Sequence, residues 1–115
     1  MEQEAGLEGA AALFKVLGSE SRLRLLRLLV AAPATVGSLV EQSAMSQPLV
    51  SQHLRTLRQA DIVTVSRTGR EAEYQLADHH ISHVIDDAIA HVREDHTPTQ
   101  HQRAVTSAPN KGEQQ

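Results

Sequence analysis

The chain has 115 residues and a formal net charge of −3, with 11 lysine and arginine residues against 14 aspartate and glutamate residues. This length is typical of one domain, and a single phenylalanine, a single tyrosine and no tryptophan leave its core to aliphatic side chains, as in a helical protein. The lack of cysteine excludes disulfides, thiolate metal sites and cysteine catalysis. Because the longest apolar run, residues 28–34, is too short to cross a bilayer and residues 1–8 show no signal-peptide pattern, we expect a cytoplasmic protein without a membrane span.

The charges are segregated along the chain. Residues 20–70 contain seven arginines and three acids, a balance of +4, whereas residues 71–96 contain seven acids and one arginine, a balance of −6. A basic middle beside an acidic end favours a polyanion-binding module joined to a cation-binding one. Two ordinary solvated faces would produce the same balance, so the charge alone does not decide between them.

The apolar spacing predicts five helices and one β-hairpin. The predicted helices span residues 4–17, 20–32, 36–43, 47–60 and 78–95, and the hairpin spans 62–76. We expect one domain over residues 6–96, between a flexible N-terminus at 1–5 and a disordered tail at 97–115, where Pro, Gln and Ser occur without apolar periodicity.

The second predicted helix has signals at both of its ends. Gly18 ends the preceding helix, and Ser19 can accept a hydrogen bond from an amide in the first turn of the second helix. Pro33 ends the second helix. The positions expected to face the core are Leu23, Leu26, Leu29 and Val30.

Residues 36–60 have the pattern of a helix-turn-helix, with a short turn at 43–45. Ser46 can cap the second of these helices, and Pro48 occupies its first turn, where the missing N–H costs no hydrogen bond. The predicted inner edge of this helix consists of Val50, Leu54 and Leu57.

The outer side of the same helix carries the predicted DNA contacts. Glutamine can pair bidentately with adenine and arginine with guanine, so residues of these types are expected to contact base edges. They are Gln47, Ser51, Gln52 and Arg55. Arg58 lies further along the helix and is expected to contact a phosphate, although a polar face turned to water would show the same pattern. His53 leans toward the core and is expected to pack or form a hydrogen bond there.

The predicted hairpin follows this helix directly. Gly69 supplies the backbone freedom for its turn, and Arg67 and Arg70 at the tip are expected to reach the DNA backbone or minor groove. Ala72, Tyr74 and Leu76 alternate onto one face of the second strand. A basic hairpin after a helix-turn-helix predicts a winged-helix fold.

Four potential metal ligands lie on the last predicted helix in the pattern D-x-H, ten residues, H-x-x-E. They are Asp78, which is expected at the N-cap of this helix, His80, His91 and Glu94. The two histidines share a helix face, since eleven residues make close to three turns of about 3.6 residues. The same spacing separates them by about 16 Å, so one chain cannot bind a single ion at about 2 Å through both. Two such helices paired antiparallel would bring Asp78 and His80 of one chain to His91 and Glu94 of the other, which predicts a symmetric dimer with two metal sites.

An apolar stripe on the same helix supports this pairing. Its residues are Ile81, Val84, Ile85, Ala88, Ile89 and Val92. Such a stripe must be covered by the core of the chain or by a partner helix. The alternative interpretation is that the four polar residues simply flank a buried stripe.

The chain resembles the ArsR/SmtB family of dimeric winged-helix repressors over roughly residues 13–94. The matching segments are L-G-S-E-S-R-L-R-L-L at 17–26, P-L-V-S-Q-H-L-R-T-L-R at 48–58, G-R-E-A-E-Y-Q-L at 69–76, A-D-H-H at 77–80 and H-V-R-E at 91–94. The resemblance implies a mainly α fold with a small β-hairpin, a winged helix-turn-helix whose homodimer forms through the N- and C-terminal helices.

The last two segments match the metal motif of the SmtB-like zinc sensors position for position. By this resemblance Asp78, His80, His91 and Glu94 are expected to bind regulatory Zn(II). In that group the apo dimer binds double-stranded operator DNA, an inverted repeat, and metal binding releases it. The resemblance therefore implies a metal-responsive repressor with operator DNA as its partner and no small-molecule substrate.

The chain also departs from parts of the family. The arsenic, cadmium and lead sensors place cysteines on the helix corresponding to residues 36–41, and this chain has none, so sensing of thiophilic metals is not expected. A nickel/cobalt subgroup recruits histidines beyond the last helix. His96 and His101 therefore leave Co(II) or Ni(II) open as alternatives to Zn(II).

Two other classes of function are alternatives to a metal-responsive repressor. One is a winged-helix repressor without a metal response, whose acidic helix serves only to dimerise. The other is a small metalloenzyme, which is not expected because the chain has no H-E-x-x-H motif, nucleophile elbow or phosphate loop. His79 and His83 lie four residues apart on a different helix face, where they are expected to be solvated, with adventitious metal binding as the alternative.

Overall fold

The computed structural model of the chain describes residues 2–94. Five helices and three strands lie in this range: α1 (Glu2–Leu17), α2 (Glu20–Ala31), β1 (Ala34–Thr35), α3 (Val36–Ser43), α4 (Gln47–Gln59), β2 (Val63–Thr68), β3 (Glu71–Leu76) and α5 (His79–Arg93). The mainly α fold class with a small hairpin is confirmed. The chain divides into two compact units, Met1–Ile85 and Asp86–Gln115, and α5 contributes residues to both.

Short polar side chains cap the N-termini of four helices. Each side chain accepts a hydrogen bond from a backbone amide in the first turn, which has no partner within the helix. The pairs are Ser19 Oγ with the Arg22 amide at 3.3 Å, Thr35 Oγ1 with Ser38 at 3.1 Å, Ser46 Oγ with Leu49 at 3.3 Å, and Asp78 Oδ1 with Ile81 at 3.1 Å. Three of these caps were predicted from the sequence. The cap formed by Thr35 was not.

The sheet has three antiparallel strands in the order β1-β3-β2. The predicted hairpin is present, and Gly69 in its turn has a φ of +65°. In the hairpin Val65 lies opposite Tyr74, and on the other side of β3 the same Tyr74 lies opposite Ala34. Strand β1 was not predicted, because two residues are too few to show a period in the sequence.

The core of the first unit lies between α2, α3, α4 and the sheet. Helix α4 buries its predicted inner edge, and the exposed fractions are 0% for Val50, 1% for Leu54 and 0% for Leu57. Ile62 and Val63, which begin the hairpin, are also buried. This inner edge fixes which side of α4 remains outside.

Helix α2 buries a different set of residues from the one predicted. Leu25, Leu26 and Leu29 are buried, whereas Leu23 and Val30 are only half-buried. The prediction was therefore wrong for Leu25. The physical reason is that α2 packs against α3, α4 and β3 together, so its buried face is wider than one helical stripe.

Helix α1 leaves large apolar side chains uncovered within the single chain. Leu7 is 71% exposed and Phe14 is 57% exposed, while Leu17 at the end of the helix is buried. The residues of α5 in the first unit include Ile81 and Ile85, both buried. In the second unit, Val92 is 72% exposed.

Within residues 2–94, every helix is either too short or too polar to cross a membrane.

Candidate DNA-binding surface and metal ligands

The turn before α4 is built from local hydrogen bonds. Ser43 is buried, and its hydroxyl accepts a hydrogen bond from the Met45 amide at 3.2 Å. Ala44 ends α3 in the left-handed conformation with a φ of +62°, and its amide donates to the Val40 carbonyl at 3.1 Å. Ser46 then caps α4, which begins at Gln47, so three residues separate the two helices of the predicted helix-turn-helix.

The structure places the predicted base-contacting residues on the outer side of α4. Gln47, Gln52 and Arg55 are exposed, and Ser51 is half-buried. Arg58, the predicted phosphate contact, is exposed on the last turn of the same helix. The side of α4 opposite the buried inner edge therefore carries amides, a hydroxyl and guanidinium groups, which can all donate hydrogen bonds to bases or phosphates.

A cleft of about 650 Å³ lies between α4 and strand β3. It is lined by Ser51, Leu54, Arg55, Arg58, Gln59 and Tyr74. These lining residues include two guanidinium groups and no carboxylate, so the cleft suits an anionic group such as a phosphate. Sequence reasoning missed Gln59 and Tyr74 as members of this surface, because Tyr74 was predicted only to alternate with Ala72 and Leu76 on one face of a strand.

The tip of the hairpin presents two further cations. Arg67, near the end of β2, pairs with Ala72 of β3, and Arg70 lies in the turn beside Gly69. Both arginine side chains are exposed. Because a two-residue turn joins the strands, these guanidinium groups lie near the outermost point of the hairpin, as predicted for a wing.

His53 lies on α4 but does not belong to the outer surface. It is half-buried, and burial lowers the pKa of its imidazole, with the positive charge of Arg22 lowering that pKa further. The Arg22 side chain is itself held in place, since its Nε donates to the Val16 carbonyl at 2.7 Å. The expectation that His53 leans toward the core is confirmed.

Asp78 and His80, two of the predicted metal ligands, lie at the start of α5 in the first unit. Asp78 caps the helix with Oδ1, and because a carboxylate has about four lone-pair sites, it keeps acceptor capacity for a metal ion. His80 is exposed, and its ring centre lies 4.4 Å from that of His79 with the planes tilted by 34°. The Asp78 carboxylate and the His80 imidazole are thus both exposed to solvent.

His91 and Glu94, the other two predicted ligands, lie in the second unit. Both are exposed, and the Glu94 amide donates to the Ala90 carbonyl at 3.0 Å, so the backbone stays helical in character up to this residue. Two imidazoles and two carboxylates are a donor set that zinc accepts in tetrahedral geometry. Among residues 2–94 of a single chain, no group of three or more His, Asp or Glu side chains is arranged to hold a metal ion.

His96 and His101, the possible additional ligands, lie outside the described residues, as does the predicted tail at 97–115.

Comparison with known proteins identifies the family. The profile of the "Bacterial regulatory protein, arsR family" matches residues 19–65, from the Ser19 cap into β2. The transcriptional repressor SmtB of Mycobacterium tuberculosis is 43% identical over 89 residues, which are 77% of this chain and 66% of that relative, so this chain spans slightly less than two thirds of it. The transcriptional regulator NmtR of the same organism is 36% identical over 79% of this chain and 75% of its own length.

The solved structures agree on the fold. The homodimeric winged helix-turn-helix DNA-binding domain of Mb0332 from Mycobacterium bovis superimposes with a TM-score of 0.73, covering 86% of this chain and 91% of that one at 23% identity. This likeness confirms the helix-turn-helix of α3 and α4 and the wing of β2 and β3. The chain therefore belongs to the ArsR/SmtB family of winged helix-turn-helix transcriptional regulators.

Proposed function

We propose that this chain is a metal-responsive transcriptional repressor, which binds operator DNA as a metal-free homodimer and is released by Zn(II). The observation that carries the metal response is the donor pattern of α5. Four exposed ligands of types that zinc accepts follow the D-x-H and H-x-x-E spacing, and no complete ligand set exists among the described residues of one chain. Two chains paired through α5 would complete two sets.

The DNA-binding half of the proposal rests on α4 and the wing. The outer side of α4 would enter the major groove, where Gln47, Gln52 and Arg55 reach base edges. Arg58 and the hairpin arginines would contact phosphates on either side and so position the helix. The cleft between α4 and β3, whose lining includes Arg58 and Tyr74, offers a place for one such phosphate.

The uncovered apolar side chains support a homodimer. Leu7 and Phe14 on α1, and Val92 on α5, are large and exposed in the single chain, and a partner would remove them from water. The structural neighbour from Mycobacterium bovis is homodimeric. A two-fold dimer presents two α4 helices to an inverted-repeat operator, which has the same symmetry.

The proposed ligands would couple zinc binding to the arrangement of the two chains in the dimer. When bound, zinc would bridge Asp78 and His80 of one chain to His91 and Glu94 of the other and so restrict how the two chains are oriented. Operator half-sites about one helical turn apart require one particular orientation of the two α4 helices. If the two requirements differ, metal and DNA weaken each other's binding equally, and a coupling of about 3 kcal/mol corresponds to about 150-fold in affinity.

The test is zinc-driven release from DNA. A duplex selected from a random-sequence library with the metal-free protein serves as the probe, and fluorescence anisotropy measures its affinity with and without zinc. We expect zinc to weaken binding by about 10- to 150-fold in the natural chain and by less than about twofold in His91→Ala. Normal zinc-driven release of His91→Ala would show that the proposed ligand set is wrong.

Two further measurements separate the two halves of the proposal. Arg55→Ala should lower DNA affinity without changing zinc affinity, and unchanged DNA affinity would remove Arg55 from the reading surface. The visible spectrum of the Co(II)-loaded protein reports coordination. Intense bands at two ions per dimer support the four-ligand site, weak bands support the nickel/cobalt alternative, and no saturable spectrum contradicts a metal response.

A further inference from the structure

Two histidines on α5 take no part in the proposed regulatory ligand set. His79 and His83 are four residues apart on the helix, both are exposed, and their ring centres lie 5.7 Å apart with the planes at 85°. Residues spaced by four on a helix lie one above the other on the same face, so the two imidazoles face the same region of solvent.

The distance between the two rings fits a shared metal ion. Zinc bonded to an imidazole nitrogen at about 2.0–2.1 Å lies about 3.2 Å from the ring centre, so two rings on one ion have centres about 5–6 Å apart at bond angles of about 100–130°. The observed 5.7 Å falls in this range. By contrast, the 4.4 Å separation and 34° tilt of His79 and His80 are a stacking geometry, which leaves less room for an ion between the rings.

The backbone beneath the pair is held in place by local bonds. Asp78 caps the first turn through the Ile81 amide, and the Ser82 hydroxyl donates to the His79 carbonyl at 2.8 Å. Only side-chain rotations therefore need to be restricted when an ion binds, which lowers the entropic cost of forming a chelate. The Asp78 carboxylate also offsets the positive end of the helix dipole, which would otherwise disfavour a cation at this position.

We infer that His79 and His83 form a second site for a divalent transition-metal ion of the zinc class, separate from the proposed regulatory ligands. The two imidazoles provide two of the four bonds, and water provides the others. Because this site has half the protein ligands of the proposed regulatory site and is open to solvent, it binds more weakly and exchanges its ion faster. The full-length chain then takes up two more zinc ions per dimer than the proposed regulatory sites account for.

The test uses the full-length chain with His91→Ala, so that the proposed regulatory set is incomplete, and measures zinc binding by isothermal titration calorimetry. One zinc ion per chain should remain. Adding either His79→Ala or His83→Ala should weaken that binding at least about tenfold. Once one imidazole has bound the ion, the other is held close to it at a high effective concentration, and each substitution removes this second bond. Arg93→Gln, an exposed position of α5 that belongs to neither ligand set, is the control and should leave the binding unchanged.

Three results would overturn the inference. They are no remaining zinc binding in His91→Ala, unchanged binding after the loss of His79 or His83, and loss of the remaining binding in the Arg93→Gln control. If His91→Ala binds as much zinc as the natural chain, the proposed regulatory set fails, while the comparison of the His79, His83 and Arg93 variants still decides the second site. Far-UV circular dichroism of each variant establishes that α5 is retained.

Discussion

At the scale of single residues, Ala44 adopts a conformation that its side chain disfavours. It ends α3 with a φ of +62°, where the Cβ atom approaches backbone oxygen, and it is exposed, so its methyl group buries little surface in return. Glycine is the usual residue at this helix-end position because it has no Cβ. The sequence predicted a turn here without revealing this strain.

We therefore predict that Ala44→Gly stabilises the protein. The free energy of unfolding should rise by about 0.5–1 kcal/mol, since the relief of left-handed strain exceeds the backbone entropy that glycine adds to the unfolded chain. Thermal denaturation measures the change. The control is Ala32→Gly, an exposed residue with an extended φ of −172°, which should lower stability slightly. A loss of stability in both variants would contradict the prediction.

His53 should make stability depend on pH. Its pKa in the folded protein is lowered, first by burial and then by the charge of Arg22, so the unfolded chain binds this proton more readily. The stability contribution of neutral His53 is present above the unfolded pKa of about 6.5 and is lost as pH falls through the lower folded pKa. Urea denaturation from pH 8 to 5 should show a shallower pH dependence for His53→Gln than for the natural chain. Equal slopes would remove His53 from this role.

At the scale of elements, the wing is expected to contribute affinity without sequence preference. Arg67 and Arg70 are exposed at the hairpin tip, and guanidinium groups that contact phosphates position a protein on DNA without reading its sequence. The double variant Arg67→Ala, Arg70→Ala should weaken operator and unrelated DNA by similar factors. The slope of log affinity against log salt should fall by about two, one for each lost phosphate contact. A loss confined to the operator would instead assign these arginines to base reading.

Tyr74 tests the cleft between α4 and β3. Tyr74→Phe keeps the ring that pairs with Val65 across the hairpin and removes only the hydroxyl. If that hydroxyl donates to a phosphate in the cleft, DNA affinity should fall by about 2- to 10-fold, the effect of one hydrogen bond. Thermal stability, measured in parallel, should be nearly unchanged. Unaltered DNA affinity would show that the phosphate does not reach Tyr74.

At the scale of the whole molecule, dimerisation is expected to depend on α1. Phe14 is 57% exposed in the single chain, and placing a charge there would oppose its burial against a partner. Phe14→Asp should shift the protein toward monomer in sedimentation velocity and weaken operator binding, because one α4 helix reads only a half-site. Lys15→Gln, at the neighbouring exposed position, is the control because it lowers the net charge by the same one unit. A fully dimeric Phe14→Asp would place the interface elsewhere.

Features that depend on neighbouring residues could be predicted from the sequence. The helices and the hairpin follow from apolar periodicity, and the caps at Ser19, Ser46 and Asp78 follow from side chains that bond amides three residues away. The buried edge of α4 follows from spacing alone, and its opposite face is thereby exposed. The predicted family is confirmed by the comparisons.

The metal ligand set remains a prediction. Asp78, His80, His91 and Glu94 are recognisable by type and spacing, but one ion can bind them only when a second chain supplies half of the donors. DNA contacts such as Arg55 likewise depend on a partner molecule. The spacing of residues along the chain identifies these side chains as candidates. Their proposed functions also require groups from a second chain or from DNA.

The sequence by itself determined the helices, the caps at Ser19, Ser46 and Asp78, the turn at Gly69 and the outward face of α4, because these depend on residues within about four positions of each other. Only the tertiary structure decided that Ala34 pairs with Tyr74, that Leu25 is buried and that Tyr74 lines a cleft with Arg58. Each of these depends on residues far apart in the chain. The periodicity of a short segment does not indicate such contacts, because they form only when separate elements pack together.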